Sequence, residues 1–282
     1  MENTFDAIVV GTGISGGWAA KELTEKGLKT LVLERGRMIN HIDDYHTANM
    51  DPWDFKGGDT ITQDAYKRQP KQSRTGYVNK ESSRHFFVDD LEHPYNDEEN
   101  KFNWIRGYHV GGRSLTWGRQ SHRLTKFDFE GNAKEGIAVD WPIRYEDMAP
   151  WYDYVEEYIG VSGENLGLPQ YPSGKLLKPM ELTCVENVLR ETLAKKYDDR
   201  VLTIGRVAHI TEGTKPGKGR VSCQYRNRCR RGCPYGAYFS SNSSTLPAAE
   251  DTGNMTLRPN SVVYEISYDC LLYTSPSPRD RT

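Results

Sequence analysis

Cysteine is scarce in this chain of 282 residues, with five in all, too few for a disulfide scaffold at that length. Long apolar runs are missing as well; nothing approaches the eighteen or so residues that a membrane helix needs. Charge of one sign is also lacking, since a net charge of -2 gives no general attraction to nucleic acid or anionic lipid. The start of the chain has no charged-then-apolar leader, because "MENTFDAIVVGTG" enters a four-residue apolar run almost at once. A protein made and kept in the cytoplasm is the default expectation. Apolar residues make up only 36%, while 26 glycines and 17 tyrosines suggest many turns and loops. The length allows one large domain or two ordinary ones, with room for a real core.

The final stretch "CLLYTSPSPRDRT" breaks with what precedes it. The segment before it, "SVVYEISYD", reads as a strand. Cys270 to Asp280 match, letter for letter, the translation of a transposon-based sequencing adapter. Residues 270–282 are therefore set aside from fold reasoning. Cys270 is not counted as a ligand, and the natural protein is expected to continue past Asp269.

What is present is most informative at the start. "DAIVVGTGISGGWAAKELTEKGLKTLVLERG" reads as a short buried strand over Ala7 to Val10, then Gly11-x-Gly13-x-x-Gly16. A helix pattern runs through Trp18, Ala19 and Leu23 to a stop at Gly27, and "TLVLE" forms a second strand. Gly11 makes the tight turn, Gly13 lets backbone approach a pyrophosphate, and Gly16 lets helix and strand pack closely. The helix N-terminus offers free N–H groups and a partial positive charge to phosphates. Glu34, at the end of the second strand, can accept hydrogen bonds from ribose hydroxyls, which argues against the 2′-phosphate of NADP. Spacing alone does not separate FAD from NAD.

"RGYHVGGRSLTWGRQSHRL", Arg106 to Leu124, resembles the flavin-contacting loop of the glucose–methanol–choline (GMC) oxidoreductases. "DWPIRYEDMAPWYDYVEEYIGVSG", "GCPYGAYFSSNSSTLPAA" and "NMTLRPNSVVYEI" are similar, in order, to the bacterial sugar and gluconate dehydrogenase-like branch. The resemblance implies an α/β fold, with a Rossmann-like FAD-binding domain and part of a second α+β substrate domain. It implies FAD, with Gly11, Gly13, Gly16, Glu34 and Arg35 on its ADP half and Val263, in a late strand, against the adenine. Gly111 and Gly112 would lie against the pyrophosphate and flavin, with Ser114, Thr116 and Trp117 near the isoalloxazine. Some relatives carry a flavin-linking histidine in this loop. Thr116 stands at that place here, and its hydroxyl cannot make the link, so non-covalent FAD is expected.

Residues 1–40, 100–140 and 200–269 are assigned to a discontinuous FAD-binding domain, and 41–99 and 141–199 to excursions toward the substrate domain. Within the first excursion "HFFVDD" is the most strand-like part. Met148, Trp151, Tyr152, Val155 and Ile159 fall at helical spacing, as do Leu182, Val185, Val188, Leu189 and Leu193. Both stripes read as core packing. "TEGTKPGKGR" reads as a loop or hairpin end whose Lys215, Lys218 and Arg220 form a solvated face. Cys184 reads as an isolated thiol, and the seven histidines show no metal-like spacing. His109, beside the flavin loop, reads as packing or a backbone hydrogen bond.

Cys223, Cys229 and Cys233 stand at C-x5-C-x3-C among Arg226, Arg228, Arg230 and Arg231. Reduced thiols, a disulfide pair with an odd thiol, zinc and a [3Fe–4S] cluster are the readings open. Zinc wants four ligands, whereas three thiolates suffice for a three-iron cluster. The arginines would lower the thiol pKa values. The spacing and the following Pro234 are similar to cluster-bearing subunits of membrane-linked sugar dehydrogenases.

The chain therefore reads as the N-terminal part of an FAD-dependent enzyme oxidising CH–OH groups of an alcohol or sugar. The resemblance places the catalytic base beyond this sequence, so no catalytic residue is assigned and the chain alone is expected to be inactive or insoluble. It permits a small subunit and a cytochrome electron acceptor, with co-export to the periplasm. An FAD oxidase using oxygen without a cluster is the alternative, and a metal or nucleic-acid binding module on the Arg/Cys segment a further one.

Overall fold

The computed structural model describes residues 4–76 and 79–266. The adapter-like tail, with Cys270, lies outside them. Strand β1 (Ala7–Val10), helix α1 (Ile14–Glu25) and strand β2 (Thr30–Leu33) form a βαβ unit, and β3 (Met255–Arg258) pairs on the far side of β2. The sheet is parallel in the order β1-β2-β3, with Ala7 opposite Thr30 and Thr30 opposite Met255. β2 has a neighbour on each side and its Leu31 and Val32 are buried, as an unbroken apolar strand requires. β1 alternates instead, burying Val9 while Ile8 and Val10 are exposed.

Val9, Ala20, Val32 and Ala249 make the core between the sheet, α1 and helix α6 (Thr245–Asp251). Gly17 permits this closeness, because a Cβ there would lie 2.5 Å from Thr245 Oγ1. Gly27, at φ +84°, ends α1 as expected, and its amide donates to the Thr24 carbonyl. The remaining helices are α2 (Gln63–Arg68), α3 (Lys126–Glu135), α4 (Tyr145–Ile159) and α5 (Cys184–Lys196).

Several sequence expectations change here. Residues 261–266 form no strand, so Val263 lies in a stretch without regular structure after β3. "HFFVDD" contains a 3₁₀ turn over Arg84–Phe86 instead of a strand. Its Phe86 and Phe87 are apolar because they pack with Ile39, Tyr45 and Leu115. The α4 stripe buries Ile159 but leaves Trp151 exposed, and α5 buries nothing: Val185, Val188 and Leu189 face solvent. Helical periodicity shows that a face exists, not that this chain covers it. Arg220 does not join a solvated face. It is buried and donates to the carbonyls of Gly236, Tyr158, Pro216 and Ile159 and to Ser244 Oγ.

Two buried cations fasten α4 to the rest. Lys21 of α1 lies 4.6 Å from the centre of the Tyr158 ring and donates to Glu25 and to the Tyr154 hydroxyl. Arg123 donates through Nε to Glu156 Oε1 at 2.8 Å, and its terminal nitrogen reaches Glu156 Oε2 and Asp153; both Arg123 and Glu156 are buried.

Burial pushes His41, His85 and His209 down to about 4. The unfolded chain takes up protons below about pH 6.5 that these rings refuse until about pH 4, so stability is full above that window and falls through it. Urea unfolding at pH 5 should show a loss of about 2 kcal/mol per histidine relative to pH 7. An unchanged denaturation midpoint between those values would remove the argument.

Candidate nucleotide and flavin site

The turn between β1 and α1 is built as its glycines require. Gly11 sits at φ +91°, and a Cβ on Gly16 would lie 2.0 Å from the Gly11 carbonyl oxygen. A Cβ on Gly13 would meet nothing within 4 Å, so this face is open to a ligand at the N-terminus of α1, where unpaired N–H groups and the dipole favour phosphate.

The Gly-Gly loop meets this turn from across the chain. Gly111 and Gly112 take φ +86° and +48°, and a Cβ on Gly112 would stand 3.6 Å from the Gly13 Cα. Thr12 ties the two together: its hydroxyl donates to Glu34 Oε2 at 2.6 Å and accepts from the Gly111 amide at 2.9 Å. Glu34 also accepts from the Thr12 amide, and from the Gly36 amide on Oε1. Three of about four acceptor positions on the carboxylate are thus engaged by protein. Among the described residues one position is left open, and the first task of Glu34 is to hold the loops.

Gly11, Glu34, Arg35 and Val263 line one cavity of about 330 Å³, together with Tyr108 and Arg113. Arg35 stacks on the Tyr108 ring at 3.7 Å. Gly13, Gly16, Gly111 and Gly112 form the turn and loop beside it. Ser114 donates to the Gly111 carbonyl and accepts from the Ser241 amide, bracing the loop from behind. Trp117 donates through its indole to the Phe239 carbonyl. Thr116 is buried, and its hydroxyl finds no hydrogen-bond partner among the described residues. His109 is buried with Nδ1 against the Val110 carbonyl and Nε2 against that of Phe86, and burial lowers its pKa. It is a packing residue, as expected.

Sequence reasoning passed over Thr12, Gly36 and Asn242. Asn242 donates to the carbonyls of Ile39 and Val110, with its Oδ1 pressed against Gly111. A Cβ on Gly36 would lie 1.9 Å from the Tyr108 carbonyl carbon. Gly36 had a signal in the sequence, a glycine two residues after the strand-end acid. Thr12 and Asn242 had none.

Cys223, Cys229 and Cys233 border one cavity of about 30 Å³, about the share of a single water molecule. The Tyr225 amide donates to Cys223 Sγ at 3.4 Å. Among the described residues, no three His, Cys, Asp or Glu side chains stand together as metal ligands. The donor set suits a three-iron cluster, and the folded loop does not present it as one. The arginines also act differently from expectation. Arg226 holds Asn49 and the Ala48 carbonyl, Arg228 holds Asp51 and the Asn49 carbonyl, and Arg231 holds Asp59 and the Met50 carbonyl. They clamp the loop onto the 48–59 segment. Burial pushes the Cys229 thiol up, and the neighbouring cysteines add to this against Arg119 and Arg230.

The parallel sheet and glycine cradle define an α/β unit whose βαβ turn has the form of a dinucleotide cradle. No family model matches the chain. It is 26% identical over 273 residues to the fructose dehydrogenase large subunit of Gluconobacter japonicus, covering 94% of this chain and 46% of that one. It is also 26% identical over 246 residues to the 6'''-hydroxyparomomycin C oxidase of Streptomyces lividus, covering 84% and 37%. The gluconate 2-dehydrogenase flavoprotein of Pantoea cypripedii is 26% identical over 171 residues, covering 56% and 25%. The solved pyridoxine 4-oxidase from Mesorbium loti superposes with a TM-score of 0.45 at 15% identity, covering 91% of this chain and 42% of that one. At this low identity the relatives support kinship with the GMC-type FAD-dependent oxidoreductases. The chain spans less than half the length of these relatives.

Proposed function

We propose that this chain forms the FAD-binding part of an oxidoreductase acting on CH–OH groups of an alcohol or sugar. The meeting of two glycine loops at Gly13 and Gly112 carries the reading, because backbone alone can approach a pyrophosphate that closely. Bound there, FAD supplies the hydride acceptor at flavin N5. The N–H groups at the start of α1 receive the phosphates, and the remaining acceptor position of Glu34 receives a ribose hydroxyl. Arg35 on Tyr108 and Val263 wall the adenosine end. No histidine of the chain is assigned as base.

FAD is held without a covalent bond on this reading, since Thr116 offers only a buried hydroxyl. Acid precipitation of the full-length protein should leave all yellow colour in the supernatant; flavin retained in the pellet would contradict it. Anaerobic bleaching of the flavin by a sugar or alcohol tests the activity, and no bleaching across a broad panel of both would remove it.

The three cysteines are proposed to hold a [3Fe–4S] cluster, on the strength of the donor set and the Tyr225 N–H···S contact. A sugar substrate and a multisubunit complex are further proposals, drawn from the names of the fructose and gluconate dehydrogenase relatives; a cytochrome is the acceptor proposed. The small size of the cysteine cavity, about 30 Å³, favours a second reading, an oxidase without a cluster. Iron analysis and EPR of the full-length protein separate them: about three irons per chain support the cluster, while no iron with peroxide release supports the oxidase.

A further inference from the structure

Helix α5 is 13 residues long and buries none of them among the described residues. Its outward stripe is apolar: Val185, Val188 and Leu189, at spacing i, i+3 and i+4, are 73%, 65% and 48% exposed. The opposite side, which carries Arg190 and Ala194, fronts a cavity of about 560 Å³ walled also by Leu166, Pro179 and Val201. What ties the helix down is polar. Thr183 and Glu186 form a capping box, and Arg190 donates to the Glu164 carboxylate and to the Leu202 carbonyl.

Such a helix is short of support. Isolated helices below about 12–15 residues are marginal in water, and a helix in a protein is stabilised mostly by packing an amphipathic face. A capping box and one partly exposed ion pair are weak substitutes for that packing. The stripe has the composition of a core seam and no neighbour here to pack on.

We propose that α5 is a core helix of the whole protein, and that its Val185, Val188 and Leu189 stripe is covered by the part of the natural chain beyond Asp269. Length supports this occupant, because the chain covers only 46% and 37% of two of its relatives. Permanence supports it too. A helix with so little packing of its own needs its cover whenever the protein is folded, and a tethered segment supplies it at a high effective concentration. A second copy fits less well, since three aliphatic side chains on one helix fall far below the about 800 Å² per partner of a stable interface. The cover does not depend on what binds at Glu34, so it stands or falls apart from the flavin reading.

Cys184 opens α5, one turn from Val188, and its thiol is exposed in this chain. In the full-length protein its alkylation, read by peptide mass, should run at least about tenfold more slowly in the folded state than in urea. A benzophenone side chain introduced in place of Val188 should, on irradiation, crosslink within one chain to a peptide beyond Asp269. A crosslink to a second copy, to another subunit or to residues 1–269 would overturn the proposal. So would the absence of a crosslink together with Cys184 reacting as fast in the folded state as in urea. Should the bulky group prevent folding, Cys184 of the unsubstituted protein decides alone. Protection in a protein whose light-scattering mass is that of one chain supports the cover, whereas full reactivity, or protection lost on dilution, overturns it.

Discussion

Gly36→Ala is expected to give a protein that retains no flavin and unfolds at clearly lower denaturant. The added Cβ would lie 1.9 Å from the Tyr108 carbonyl carbon and 2.1 Å from the His109 nitrogen. Both are backbone atoms, and neither can withdraw. The Val110 amide is bonded to the Arg37 carbonyl and the Gly111 amide to Thr12. Moving Gly36 would drag Glu34 with it, because the Gly36 amide donates to that carboxylate. Overpacking typically costs 1–3 kcal/mol and occasionally more; with backbone against backbone we expect about 3 kcal/mol or above. The flavin-to-protein absorbance ratio and a urea titration report the two effects separately. Gly131→Ala is the control, since its Cβ would meet nothing within 4 Å inside α3 and should gain about 0.5–1 kcal/mol. A Gly36→Ala protein with normal flavin content and midpoint would mean that the two segments do not touch as described.

Arg123→Met should destabilise the protein by about 3–5 kcal/mol, the usual result of leaving a buried charge uncompensated. Glu156 is nearly inaccessible and, among the described residues, would keep only the Lys175 amide as a donor. Glu156→Gln should cost less, because Asp153 still faces the guanidinium. The double variant Arg123→Met with Glu156→Leu should recover much of the loss, since an apolar pair of similar volume removes both desolvation penalties. Urea midpoints of the set give the coupling directly. A loss below 1 kcal/mol in Arg123→Met would show that this pair behaves as an exposed one.

The legible part of the fold is the local part. From Ala7 to Leu33 every signal sits within a few residues of what it specifies: apolar strand, glycine turn, helix stripe, glycine stop. The same holds for Gly111 and Gly112, whose positive φ values demand glycine whatever surrounds them. Thr12 and Asn242 were not legible because each acts on a partner far along the chain, and neither residue type announces such a role. Arg220 misled for a related reason. A cation in a Gly/Pro-rich turn normally meets water, yet here distant carbonyls from Tyr158 and Ile159 close over it. The stripe of α5 was read correctly as a face and wrongly as a buried one. The three cysteines were read for their donor chemistry, while the folded loop answers first to the arginine contacts with residues 48–59.

The sheet order carries a consequence for biosynthesis. β2 lies between β1 and β3, and β3 comes from residues 255–258. During translation at about 5–20 residues per second, β2 leaves the ribosome roughly 10–45 seconds before its second neighbour exists. Throughout that interval one edge of an apolar strand is open to any other nascent chain. Yield should therefore respond to temperature and to chaperone supply more strongly than to conditions in the purified state.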